Sequence, residues 1–127
     1  MFVLVIIKPD AIRRRLGSAI LKYFSRASWK VVASDVVEAG DPRWSQHYDE
    51  HAGKHFYDKL IATMSAEKSE IHLLASPTGT VAEARDLMKE IRATHKDTES
   101  ANTAENLVHV SDSDADAARE AILWFDD

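Results

Sequence analysis

Six apolar residues in succession, Phe2-Val3-Leu4-Val5-Ile6-Ile7, stand ahead of Lys8-Pro9-Asp10. A run with no polar member predicts a fully buried strand, and Pro9, which has no N–H for a ladder, ends its pairing. Lys8 then emerges at the C-terminal tip of that strand, where a cation can meet a phosphate or a hydroxyl. A strand of this kind demands a core around it. The 127 residues suffice for one such domain, 1–127, and are too few for two.

The rest of the chain alternates strand and helix patterns. Ile20, Leu21 and Phe24 share one face at helical spacing, and Trp29 to Val37 is β-rich. Asp41-Pro42 starts a short helical region, and a further helix carries Phe56, Leu60, Ile61 and Met64. Glu70 to Ala75 predicts the third strand, closed by Ser76-Pro77, and Thr80 to Arg92 a helix with Val81, Ala84, Leu87, Met88 and Ile91 inward. His95 to Glu105 is polar and reads as a mobile loop. Leu107 to Val110 predicts strand four, and Asp114 to Phe125 a last helix opening at an acidic cap. This order predicts an α/β (α+β) chain with a ferredoxin-like βαββαβ arrangement: a four-stranded antiparallel sheet with helices on one face. The tips of its strands leave a cleft, and Lys8 and His109 both fall at such tips.

Bulk properties exclude several classes. Hydrophobic content of 45% with 29% charged residues is that of a soluble globular protein. A formal net charge of −5 argues against a general nucleic-acid surface. With no cysteine there is neither a disulfide framework nor thiol chemistry, which fits a cytoplasmic setting. The longest apolar run is far below a membrane span, and no basic region precedes it, so neither a membrane segment nor a signal peptide is expected.

The chemistry concentrates at Asn106-Leu107-Val108-His109-Val110-Ser111-Asp112-Ser113. An imidazole delivered to the edge of a core, with donors and carboxylates beside it, suits nucleophilic work near pH 7. Strand–Lys-Pro-Asp at one end and Asn-x-x-His-x-Ser-Asp-Ser at the other resemble the nucleoside diphosphate kinase family, over nearly the whole chain.

The resemblance implies a ping-pong phosphotransferase in which His109 is phosphorylated by one nucleoside triphosphate and then gives the group to a different diphosphate. It implies that Glu120 supports the histidine and that Ser111 lies near the transferred phosphate. Lys8 and Asn106 match residues that reach the ribose hydroxyls, Lys8 also touching the outer phosphates. Tyr48 and His51 match a Tyr-x-x-His helix motif beside the phosphates, Phe56 an aromatic that stacks on the base, and Arg85 and Arg92 two phosphate-binding arginines. Magnesium would arrive with the nucleotide, met at most by Asp112 through water; no metal site of the protein's own is implied. His47, one turn before His51, offers an alternative metal pairing, but no further ligand set follows at suitable spacing. His72, inside a strand, reads as structural.

Three features depart from the family. Its Gly-x-Thr-(Asn/Asp)-Pro segment between the arginines is absent, leaving Arg85 and Arg92 seven positions apart in one helical pattern. The position after the histidine, commonly glycine or alanine, is Val110, which either crowds the cleft or fills core. The arm from Thr94 to Glu105 lacks proline-rich character, which favours a homo-dimer over a hexamer. These departures keep an alternative open: a nucleotide-binding or regulatory module of the same fold with little turnover.

Overall fold

The computed structural model describes residues 1–96 and 106–125. In chain order the elements are β1 (Phe2–Ile7), α1 (Pro9–Arg13), α2 (Gly17–Arg26), β2 (Lys30–Val37), α3 (Arg43–His47), a 3-10 turn (Asp49–His51), α4 (Tyr57–Ala66), β3 (Ser69–Ala75), α5 (Val81–Thr94), β4 (Val108–Val110) and α6 (Asp114–Phe125). The sheet order is β2-β3-β1-β4, with β1 antiparallel to both neighbours and β2 antiparallel to β3. This is the four-stranded antiparallel, ferredoxin-like sheet expected from the order of elements. The expected polar loop lies almost wholly outside the described residues.

One detail of that expectation is corrected. Helices cover both faces of the sheet, and the composition of β1 is the reason. Val3, Val5 and Ile7 pack with Ile20 and Phe24 of α2 and with Ala84, Met88 and Ile91 of α5. Leu4 and Ile6, pointing the other way, pack with Trp44 of α3, Leu60 and Met64 of α4, and Trp124 of α6. All five of these β1 side chains have zero exposure, which a sheet open to water on one side does not permit.

Local chemistry sets the element ends. Pro9 closes β1 and also occupies the first turn of α1, where its missing N–H is not needed; one turn is too short to show as periodicity. Thr80 caps α5 by accepting from Glu83 N (3.1 Å) while its hydroxyl donates to the Glu83 carboxylate (3.1 Å). The start of α6 is held by the Ser113 hydroxyl, which accepts from Asp116 N (3.1 Å), with Asp114 and Asp116 following in the first turn. The cap is thus a serine and the acids complement the helix dipole. His72 has the structural place expected of it, bridging Ser34 (2.7 Å) and Glu70 (3.0 Å) on the sheet.

Gly79 marks the tightest packing ahead of α5. A Cβ placed there would lie 2.6 Å from Trp29 Cζ2 and 2.9 Å from Ser76 Oγ. The indole is 3% exposed and belongs to the core, so it cannot give way cheaply. Gly79→Ala is expected to destabilise the fold by about 1–3 kcal/mol in urea denaturation. A variant as stable as the parent would show that Trp29 has room to move.

Candidate active site

The site forms where β1 and β4 end side by side. Lys8 N donates to Leu107 O (2.9 Å), and Lys8 Nζ donates to Asn106 Oδ1 (2.9 Å). Between them the chain makes a tight turn in which Val108 N donates to Asn106 O (2.8 Å) and Leu107 adopts φ 73°. A bulky residue in the left-handed region is strained, of order 1–3 kcal/mol, and holds only where its surroundings fix it. Asp10 supplies that fixing, its Oδ2 accepting from Leu107 N (3.1 Å). The Lys-Pro-Asp motif therefore acts as a unit: Lys8 holds Asn106, and Asp10 holds the turn that presents it.

His109 follows on β4, paired with Ile6. Its neighbours Val108 and Val110 point into the core on the α2/α5 side, so strand alternation sends the imidazole to the opposite face. Val110 accordingly fills core and does not crowd the cleft. His109 Nε2 lies 3.2 Å from Glu120 Oε1, and the Ser111 hydroxyl donates to the same oxygen (2.7 Å) while accepting from Leu4 N (2.9 Å). Ser111 is fully buried. Both of its bonds hold Glu120 and β1, two residues beyond His109.

The cations converge from α5. Arg92 donates from Nε to Asn106 O (3.2 Å) and from Nη2 to Val108 O (2.8 Å); Arg85 donates to Val110 O (3.3 Å) and pairs with Asp112. Burial, and then the charge of Arg85, lowers the pKa of Arg92 from its ordinary value. Seven residues of one continuous helix separate the two guanidinium groups, which is two turns and hence one face.

The aromatic side is built differently from the expected helix face. The α3 helix stops at His47, and Tyr48 to His51 follow as a 3-10 turn, where residues three apart eclipse one another. The Tyr48 and His51 rings therefore stack, 6.3 Å between centroids at 30°. His51 meets Phe56 (5.4 Å), a half-buried ring at the start of α4. Tyr48 approaches His109 edge-on (6.4 Å), and its hydroxyl is buried without a hydrogen-bond partner among the described residues. Burial, with Glu120 adding, pushes the Tyr48 phenol above its ordinary range.

Two further residues of the site are not evident from the motifs. His47 does not pair with His51. It is buried against His109 (ring centroids 4.8 Å), and its Nδ1 accepts from Trp124 Nε1 (3.0 Å). Trp124 stands four residues after Glu120 on α6, a spacing that places both on one helix face and was the available signal. Among groups able to meet a cation, Glu50, Asp112 and Asp116 gather exposed or half-exposed carboxylates, an all-oxygen set of the kind magnesium prefers.

The match to known proteins covers this whole arrangement. The family model described as nucleoside diphosphate kinase matches residues 3–127. The chain belongs to the nucleoside diphosphate kinase family. It is a kinase of that family, as its relatives at about a third identity are named. It is 34% identical to the nucleoside diphosphate kinase of Saccharomyces cerevisiae, covering 95% of this chain and 82% of that protein. It is also 34% identical to that of Mycobacterium leprae, covering 96% and 94%. The fold matches the crystal structure of nucleoside diphosphate kinase from Encephalitozoon cuniculi with a TM-score of 0.85 at 25% identity, over 99% of this chain and 89% of that one. A nucleoside diphosphate kinase family protein from Babesia bovis matches with a TM-score of 0.83 at 27% identity, over 98% and 88%.

The electrostatics keep both imidazoles neutral. Burial first, then the Lys8 charge, pulls the His109 pKa down to about 3; burial and then His109 do the same to His47, also to about 3. Unfolded, each would titrate near 6.5. Between these values the unfolded chain binds protons that the folded chain refuses, so stability falls as pH drops through 6.5 towards 3. Urea midpoints taken between about pH 7 and pH 5 should decrease on acidification, and His109→Gln should flatten the slope. A slope unchanged by that substitution would mean that His109 titrates normally in the fold.

Proposed function

We propose that the chain transfers the terminal phosphoryl group of a nucleoside triphosphate to a nucleoside diphosphate through a phosphohistidine at His109. The observation that carries this reading is the contact between His109 Nε2 and Glu120 Oε1 (3.2 Å). It commits one ring nitrogen to a carboxylate and leaves Nδ1 for the reacting phosphorus. The Nδ1 lone pair forms the N–P bond as the bond from phosphorus to the leaving diphosphate oxygen breaks. The ring keeps its Nε2 hydrogen and gains positive charge, which Glu120 offsets. Transfer to the second nucleotide runs the same steps backwards.

Phosphoryl transfer has a loose transition state, so positioning and neutralisation supply most of the acceleration. Lys8, Arg85 and Arg92 all act electrostatically on His109 and are the cations for the transferring group. Lys8 and Asn106, already bonded to each other, suit the ribose hydroxyls, with Lys8 also reaching the outer phosphates. The Tyr48 hydroxyl, without a partner among the described residues, and His51 suit the phosphates, and Phe56 offers a half-buried face for any base. Ser111 positions Glu120. Magnesium comes as part of the substrate, with Asp112 placed to meet its water shell. The proposal treats 1–127 as one kinase-like domain at work in the cytoplasm. No helix among the described residues is long and apolar enough to cross a membrane. A homo-dimer is supported by edge strand β2, where Val31, Val32 and Val36 are 41–51% exposed.

Incubation with γ-labelled ATP and Mg²⁺ should label the protein, and unlabelled GDP should carry the label away as GTP. The bond should be acid-labile and base-stable, and His109→Asn should take no label. Lys8→Ala and Arg92→Ala should each slow transfer by about 10²–10³-fold. Bound nucleotide without label transfer would identify a binding module instead, and unchanged rates in both variants would remove Lys8 and Arg92 from the site.

A further inference from the structure

Phosphoryl transfer through His109 leaves one buried imidazole beside it without a role. His47 ends α3 with its side chain at zero exposure. An indole N–H can only donate, so the bond from Trp124 Nε1 requires His47 Nδ1 to be the bare nitrogen. The neutral ring then carries its hydrogen on Nε2. That atom has no hydrogen-bond partner among the described residues and stands 4.0 Å from Glu120 Oε2. The other carboxylate oxygen, Oε1, is the one that meets Ser111 and His109. A buried donor thus faces a buried acceptor about 1 Å beyond bonding distance.

We propose that His47 is a positioning residue: its Nε2–H, aimed by Trp124, closes on Glu120 Oε2 as His109 gains positive charge, keeping the carboxylate ionised and oriented. The proposal rests on His109 being the phosphoacceptor. No proton leaves His47; an N–H bonded to a carboxylate in a dry site is charge-assisted, and it holds that carboxylate ionised and fixed. Trp124 and His47 then form a line behind Glu120, and Glu120 stands behind His109.

The charges around this line fix the sign of its pH dependence. Glu120 is faced by His109 from β4 and Ser111 just after it, by His47 from α3, and by Arg119 and Asp116 from its own helix. Burial and Asp116 favour its neutral form, and the Ser111 hydroxyl and Arg119 favour the carboxylate; a neutral His47 adds to them only through its Nε2–H, 4.0 Å from Oε2. His109 is faced by Lys8, Arg85, Arg92 and Asp112 as well. Loss of the His47 N–H leaves burial less opposed, so Glu120 takes up a proton at higher pH. Phosphorylation, which needs the carboxylate, then fails earlier on acidification.

The test uses the full chain with three substitutions. His47→Leu removes the donor and the acceptor at similar bulk. His47→Gln keeps an amide able to accept from Trp124 and donate to Glu120, and Trp124→Phe removes the indole N–H together with some core bulk and should slow phosphorylation in the same direction as His47→Leu. In single-turnover phosphorylation by Mg-ATP, His47→Leu should be slower by about 10–100-fold with ATP affinity within about twofold, an interaction made in the transition state and not in binding. Its acid limb should move up in pH, and His47→Gln should recover most of the rate. A His47→Leu enzyme with the parent rate and pH profile, or a His47→Gln enzyme as slow as His47→Leu, would overturn the proposal. Absence of label on the parent protein would instead defeat the phosphohistidine reading. Carbon-13 titration of the Glu120 carboxyl then decides the His47 contact separately: an upward shift in His47→Leu supports it, and coincident curves overturn it. Should the variants not fold, ring nitrogen NMR of the parent serves, since a bare Nε2 on His47 would also overturn it.

Discussion

Burial of β1 on both faces is the constraint from which the rest follows. Five consecutive side chains of this strand have no exposure, so it must run through the middle of the molecule with strands at both edges and helices on both sides. Once β1 is central, its C-terminal tip delivers Lys8 beside the start of β4. The antiparallel register Ile7↔Val108 and Ile6↔His109 then sets the spacing between the lysine and the histidine. At about 25 cal/mol per Å² of apolar surface removed from water, a core of this kind dominates the stabilising side. The strained Leu107 turn, at a few kcal/mol at most, is carried by it without difficulty.

The same burial shapes the chemistry. A histidine among three cations and next to a second imidazole is disfavoured as a cation, and desolvation works in the same direction. Neutral His109 keeps a lone pair amid positive charge, the state that the proposed phosphoryl transfer requires. Glu120 is the exception in that field. Its burial favours the neutral form, and the hydroxyl of Ser111 and the guanidinium of Arg119 work against it.

Much of this was legible in the sequence because it depends on local pattern. The four strands, the long helices, the Lys-Pro-Asp tip and the Asn-x-x-His strand show as runs, periods and motifs, and the family resemblance tied the ends together. What was not legible depends on side-chain direction or on distant pairing. The single-turn α1 and the 3-10 turn at Tyr48 are too short to carry a period. Ser111 beside a histidine motif suggests phosphate contact, and only the packing of β1 against α6 shows its hydroxyl turned inward to Glu120. His47 had no role beyond a metal pairing with His51 that lacked further ligands, and only the packing of α3 against α6 shows its ring beside His109 and Trp124. Helices on one face was the expectation from element order, yet the unbroken apolar run of β1 already required two.

The two arginines of α5 are placed by the helix itself and by the strand that it packs on. Flanking β4, the Leu107 carbonyl and the Ser111 N–H turn towards β1, so the carbonyls of Val108 and Val110 face the open edge. Arg92 holds the first and Arg85 the second. Two helical turns span about 10 Å and two strand residues about 7 Å, a difference that long side chains absorb easily. The register between α5 and β4 therefore fixes where both guanidinium groups sit, and an intervening loop is not needed to place them. Holding an edge strand is also reason enough for their rigidity, and a guanidinium with five donors can bind a carbonyl and still offer a phosphate its remaining N–H groups. One helix thus leaves the cationic groups near His109 anchored to the sheet.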